Sequence, residues 1–289
     1  MVSISPWVRF RLLDRSNMFC HWRIQTTSPP LRSRRTADCP DTMFPSTAMA
    51  RSSNNLAPHG SPRTPAVYVT SSHQYPTGAF MPIGRRRALA DWAGGNDSMI
   101  IEDDYDSEIR YGAVPLPTIA ELTPDRTVYL GTVSKTLGAG IRLGWMVASQ
   151  SMGDRISATR RAIGDHPSVL LQPAMTSMLC DGEWDRTVRT ARPLYRTRDH
   201  VVAAALARFG ELRGIRAGLH TVLILDTATA RDVAISCATS RVDVPILDYS
   251  TRSHTARGGI VVGYGSISDD ELDYAISILV EAPEAALLS

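Results

Sequence analysis

Three short apolar runs in the middle of the chain each stop at a polar cluster, and that pattern limits the folds available to it. AVYVT (66–70) leads into SHQYPTG (72–78), SMIIEDDYD (98–106) ends in its own carboxylates, and TVYLGT (127–132) stops at Ser134 and Lys135. The runs are nearly all apolar, so both faces of each are expected to be covered. Helical sequence lies between the first two: Pro82 stands where a first turn begins, and RRRALADWA (85–93) follows with Leu89 and Trp92 three apart. LGWMVA (143–148) reads as a further strand. Short apolar strands alternating with helices predict an α/β unit, a mostly parallel sheet with helices on both faces. In open sheets of this kind chemistry gathers at the carboxyl ends of the strands. The clusters His73–Gly78, Asp103–Tyr105 and Thr132–Lys135 are therefore expected to share one rim.

From Ser151 the pattern turns helical, ending in a long segment over 183–209 in which Pro193 is expected to kink or restart the helix. LHTVLIL (219–225), ATARDVAISCATS (228–240), VDVPIL (242–247), GGIVVGY (258–264) and a last helix from Asp269 to Val280 read as a smaller α+β unit. Ser268 and Glu271 are spaced as a capping box for that last helix. The expected division is an α/β unit over 66–205 and the α+β unit over 206–289, after a head over 1–65. The head is rich in Arg, Ser and Pro without apolar periodicity, and reads as disordered.

Charge divides along the same boundary. Residues 1–65 carry nine Arg against three Asp, a net of +6, while 66–289 carry 22 basic and 26 acidic groups, a net of -4. The acidic body and the absence of a recognition helix in the head predict no sequence-specific DNA binding by this chain. No apolar run reaches the roughly 18 to 20 residues that a spanning helix needs, so no membrane segment is expected. Arg9, Arg11, Asp14 and Arg15 interrupt any secretory h-region. Cys20, Cys39, Cys180 and Cys237 form no zinc pattern, and reduced cysteines in a cytoplasmic protein without a metal are expected.

Of the 31 basic side chains, 30 are Arg and one, Lys135, is Lys. Lysine does what arginine cannot: its amine loses a proton and forms a Schiff base. Asp103 and Tyr105 stand on a neighbouring strand end, and Thr132, Ser134 and Arg142 flank Lys135. A Schiff-base lysine, an Asp for a pyridinium nitrogen, a Tyr for a phenolic oxygen and hydroxyls with an Arg for a phosphate are what pyridoxal phosphate requires. The residues alone leave a plainer alternative open, in which Asp103 and Asp104 begin a helix, Tyr105 packs and Lys135 is a surface lysine.

VYVTSSHQYPTG (67–78), IIEDDYDSEIRYGAVPLP (100–117), VYLGTVSKTLGAGIRLGWMVA (128–148) and the segment over 170–200 together resemble the fold type I pyridoxal-phosphate-dependent aminotransferases. They are more closely similar to the aminotransferase-like domain of the MocR/GabR family of GntR-type bacterial transcription regulators. The resemblance covers about 66–285. It implies a partial fold type I large domain followed by a small C-terminal domain. It implies that Lys135 holds the cofactor, Asp103 faces its ring nitrogen, Tyr105 bonds its phenolic oxygen, Tyr75 binds it from the place where ordinary aminotransferases have the Asn of their NPTG turn, and Thr132, Ser134 and Arg142 meet its phosphate. Arg252 and Arg257 are both candidates for binding a substrate carboxylate. The implied partners are an amino acid or amine effector and a second copy of the chain. The alternative implied activity is transamination of an amino acid.

Two departures qualify the resemblance. Family regulators carry a winged helix-turn-helix and the first part of the large domain ahead of the stretch that begins at Val67, and the head has no such character. The chain is thus expected to be a truncated or decayed product, with cofactor binding weakened or lost and dimerisation impaired. Ala139 also stands where the regulators commonly have Pro.

Overall fold

The computed structural model describes residues 66–111, 116–213, 217–247 and 257–287. The expectations for the head and for Arg252 lie outside the described residues, and Arg257 is described in its backbone alone.

The first sheet holds β1 (Ala66–Val69), β2 (Met99–Asp104), β3 (Thr127–Thr132) and β4 (Gly144–Val147), in that order. β1, β2 and β3 are mutually parallel, and β4 runs antiparallel to β3. The connection from β3 to β4 is a turn and the short 3-10 helix Ala139–Ile141, too short for the dozen or more residues a parallel crossover needs. Side chains alternate across β2, so Ile100, Glu102 and Asp104 are buried on one face while Ile101 and Asp103 occupy the other. On the first face Val67, Val69 and Ile100 pack against Leu89, Ala90 and Ala93 of α1 (Ile83–Gly95) and Ile119 of the short α2 (Ile119–Leu122). On the opposite face Val128, Leu130 and Met146 meet Met152 and Ile156 of α3 (Gln150–Ala162). Helices cover both faces, as the apolar runs require.

After α4 (Leu171–Cys180), α5 runs from Glu183 to Leu206. It passes through Pro193 as one helix and does not restart there. The proline lacks the N–H that would reach the Arg189 carbonyl and its ring crowds that carbonyl, but packing at both ends holds the helix together. Trp184 and Val188 near its start pack with Val133, Leu143 and Met175 of the first unit. Val202 and Leu206 near its end enter the core of the second unit with Leu223, Val233, Ile260 and Leu279. That unit contains β5 (Glu211–Arg213), β6 (His220–Asp226), α6 (Thr227–Thr239), β7 (Ile246–Leu247), β8 (Arg257–Gly263) and α7 (Asp269–Leu287). Its antiparallel sheet has the order β5-β6-β8-β7. The capping box of α7 is present: the Ser268 N–H donates to Glu271 Oε2 at 2.7 Å, and the Glu271 N–H donates to Ser268 Oγ at 3.2 Å. No helix of the described residues is long and apolar enough to cross a membrane.

A buried polar cluster fixes the loop after β1. Arg86 is fully buried, and its guanidinium donates to the carbonyls of Met81 at 3.0 Å, Pro117 at 2.9 Å and Ser71 at 2.9 Å. Glu102, also fully buried, accepts from the Ser71 hydroxyl and from the N–H groups of Ile119 at 3.0 Å and Ala120 at 2.9 Å. Burial raises the Glu102 pKa, and the three donors oppose that rise. Replacing Glu102→Gln turns an NH₂ toward a backbone donor and leaves it unmatched. The expected loss is about 1 to 3 kcal/mol in the free energy of urea unfolding, and an unchanged midpoint would show that the cluster does not hold the loop.

Candidate functional site

Because β1, β2 and β3 are parallel, the segments that follow them emerge on one rim. Beyond β3, Val133 is fully buried and anchors a tight turn through its carbonyl, which accepts from the N–H groups of Thr136 at 3.1 Å and Leu137 at 2.8 Å. Trp184 Nε1 donates to Thr136 Oγ1 at 3.1 Å, pinning the same turn to α5. Lys135, between these anchors, is exposed. The Thr132 hydroxyl donates to the Leu143 carbonyl at 3.3 Å and accepts from the Ser134 N–H at 3.1 Å, so it is engaged within the turn. Arg142 closes the 3-10 helix with a left-handed backbone (φ 54°). Gly131 is required here, because a Cβ would lie 2.2 Å from the Trp145 ring of the paired strand.

At the end of β2 the alternation separates two adjacent carboxylates. Asp104 turns to the buried face and accepts from Tyr129 Oη at 2.9 Å. Asp103 turns to the other face and accepts from the hydroxyl of Tyr68, an exposed residue of β1. Desolvation raises the Asp103 pKa, and the Tyr68 hydroxyl opposes it. Tyr105 Oη is buried and has no partner among the described residues. Burial, then the carboxylates of Asp106, Asp103 and Asp104, push its pKa above the ordinary phenol value, so it keeps its proton.

Three residues of the site had no role assigned to them from the sequence. His73 and Asp106 are each 2% exposed, with His73 Nδ1 and Asp106 Oδ2 2.7 Å apart. His220, the first residue of β6, stacks on His73 with ring centroids 4.4 Å apart and an interplanar angle of 22°. Tyr75, 55% exposed, meets the His220 ring edge-on at 5.2 Å. The second unit thus reaches the rim through an imidazole. His73 stood within a noted cluster, but nothing local to His220 marks its partner. Among the described residues no group of three or more His, Cys, Asp or Glu side chains could hold a metal.

Burial, followed by His73 and Lys135, lowers the His220 pKa from 6.5 to about 3. With the folded value below the unfolded one, the neutral ring contributes stability that is complete above 6.5 and is lost as pH falls toward 3. Urea unfolding of wild type and His220→Phe should therefore show a stability difference, wild type minus variant, that shrinks steadily from about pH 7 to about pH 4.5. A difference constant with pH would mean that His220 titrates as freely in the folded chain as in the unfolded one.

The chain matches the family described as aminotransferase class I and II over residues 49–278, beginning ahead of Ala66. It is 36% identical over 220 residues to the HTH-type pyridoxine biosynthesis transcriptional regulator PdxR of Corynebacterium glutamicum, over 75% of this chain and 48% of that protein. It is 33% identical over 222 residues to the uncharacterized HTH-type transcriptional regulator YhdI of Bacillus subtilis, over 75% of this chain and 47% of that protein. Among solved structures it is similar to Pyrococcus horikoshii kynurenine aminotransferase in complex with PMP, with a TM-score of 0.68 and 23% identity, over 77% of this chain and 56% of that one. This last likeness is one of fold. The chain spans about half the length of the curated relatives it matches. With its parallel strands, its rim and a match that spans both units, the chain belongs to the aminotransferase class I and II family.

Proposed function

We propose that this chain is the pyridoxal-phosphate-binding, effector-sensing part of a MocR/GabR-like transcription regulator. The observation that carries the cofactor reading is that the chain's one lysine is the exposed residue of the turn beyond β3, while the neighbouring strand end carries a buried, unpartnered tyrosine hydroxyl. The similarity to two HTH-type regulators, one named for pyridoxine biosynthesis, supports the regulatory part.

The residues present fit the group. Lys135 would supply the primary amine, and the unpartnered Tyr105 hydroxyl would donate to the phenolic oxygen beside Tyr75. Asp103 would face the ring nitrogen; a carboxylate desolvated as it is gains most from a cationic N–H partner. Ser134 and Arg142 would meet the phosphate, while Thr132 holds the shape of the turn. When bound, pyridoxal phosphate supplies an aldehyde that captures primary amines and a ring that accepts electron density. The chain's part is to place an amine, a proton donor and a carboxylate around that chemistry. An amino acid or amine would serve as effector, with Arg252 or Arg257 taking its carboxylate, and a second copy of the chain would complete the assembly.

A second reading, a free-standing aminotransferase, is favoured by the match to the aminotransferase class I and II family over both units. Turnover separates the two: the regulator reading expects cofactor capture without sustained transamination of amino acids.

The capture itself is testable because the only other amine in the chain is at Met1. Incubation with pyridoxal phosphate, borohydride reduction and peptide mass mapping should place the label on the peptide containing Lys135, and Lys135→Ala should abolish it. Label confined to the amino terminus would sink the cofactor reading.

A further inference from the structure

Besides the Tyr105 hydroxyl, a second buried atom at the rim lacks a partner among the described residues, namely Nε2 of His220. The two atoms come from different units, and Tyr75 borders both. Its ring meets the His220 ring at 5.2 Å, and it is close enough to Tyr105 to influence that residue's titration.

The two atoms are opposite in kind. His220 hydrogen-bonds to the backbone of Pro76 while its Nε2 is unpartnered, which assigns the ring proton to Nδ1, donating to the Pro76 carbonyl. Nε2 is then a bare lone pair. Burial, then His73 and the charge of Lys135, keep it unprotonated, yet Lys135 is not bonded to it. The stack on His73, itself held by Asp106, fixes the ring in place. Tyr105 keeps its proton and is a donor. A buried acceptor held rigidly with nothing to accept is costly in a folded chain, and a bound molecule that brings a donor removes that cost.

A molecule that engages both atoms presents an acceptor for Tyr105 and, on the side of Lys135, a donor for His220. Pyridoxamine phosphate does this: its phenolic oxygen and its aminomethyl ammonium sit on adjacent ring carbons. The aldehyde form offers only acceptors at the same two places. We propose that His220 Nε2 is a ligand-binding acceptor which, paired with Tyr105 Oη, makes the site select the amine form of the cofactor over the aldehyde form. This deepens the cofactor reading above and rests on it.

Calorimetric titration of the full chain with pyridoxamine phosphate and with pyridoxal phosphate tests the idea, using a Lys135→Ala background so that covalent capture does not enter the comparison. His220→Phe preserves an aromatic ring against His73 and removes the acceptor. It should weaken pyridoxamine phosphate by at least about tenfold, the scale of one hydrogen bond to a charged group, while changing the aldehyde form by less than about threefold. His220→Gln, whose Oε1 accepts, should recover part of the loss. In the chain with its native His220, the ¹⁵N signal of Nε2 should move upfield on adding pyridoxamine phosphate, a readout that needs no His220 variant. Equal weakening of both forms, no weakening at all, or an unmoved Nε2 signal would overturn the proposal while leaving the cofactor reading intact. If neither form binds the wild-type chain, the cofactor reading falls and this proposal falls with it.

Discussion

The contact between His73 and Asp106 is the constraint on which the arrangement of the rim depends. Both side chains are almost fully buried, 2.7 Å apart, and each would be costly alone. Together they meet the second unit beyond the end of the first sheet, through His220 and Gly218. His220 stacks on His73, and Gly218 approaches so closely that a Cβ would lie 2.3 Å from Asp106 Oδ2 and 2.4 Å from His73 Nδ1. The backbone there has φ 75°, and its N–H donates to the Ile109 carbonyl at 2.9 Å. Glycine meets both demands at once, by shape and by conformation.

Around this junction, further polar contacts tie α5 and the first sheet's loops to each other and to the second unit. Tyr111 Oη and Tyr264 Oη are 2.9 Å apart, and Tyr264 in turn donates to Asp199 of α5 at 3.2 Å. Arg192 of α5 donates to the Glu108 carbonyl at 2.7 Å. The Glu108 carboxyl is pushed up to about 8, by burial first and by Asp104 second. A run of acidic residues from Glu102 to Glu108 thus serves several ends. Glu102 pins a loop, Asp104 meets Tyr129, Asp106 carries the junction, and Asp103 alone among these faces the cofactor side of the rim in the proposed function. The pleat of β2 assigns the first members of that run, since neighbours in a strand point to opposite faces.

Much of this order was legible in the amino-acid sequence, for reasons of local physics. A nearly all-apolar strand of a few residues is stable only when both its faces are covered, so three such runs imply a sheet between helices. The capping box of α7 is set by residues three apart, which is why Ser268 and Glu271 announce it. Where a strand stops is also local, so Lys135, Asp103 and Tyr105 were assigned to a common rim from their neighbours alone. Pro193 shows the limit of such reasoning where a restart is concerned, because packing at both ends of α5 keeps one helix running through it.

What the sequence determined by itself is the alternation of elements, the rim, and the identity of its one amine. Only the tertiary structure decided which side chains on the rim are spent and which remain. It gave the Tyr68 hydroxyl to Asp103 and the Thr132 hydroxyl to the turn, and it left Tyr105 Oη and His220 Nε2 without partners among the described residues. It also ran β4 antiparallel and brought His220 onto His73 from the other unit. The physical reason is that hydrogen bonding and burial are pairwise and depend on distance in space. A polar side chain's availability is fixed by what folding places within about 3 Å of it, and for His220 that neighbourhood is assembled from segments far apart in the chain.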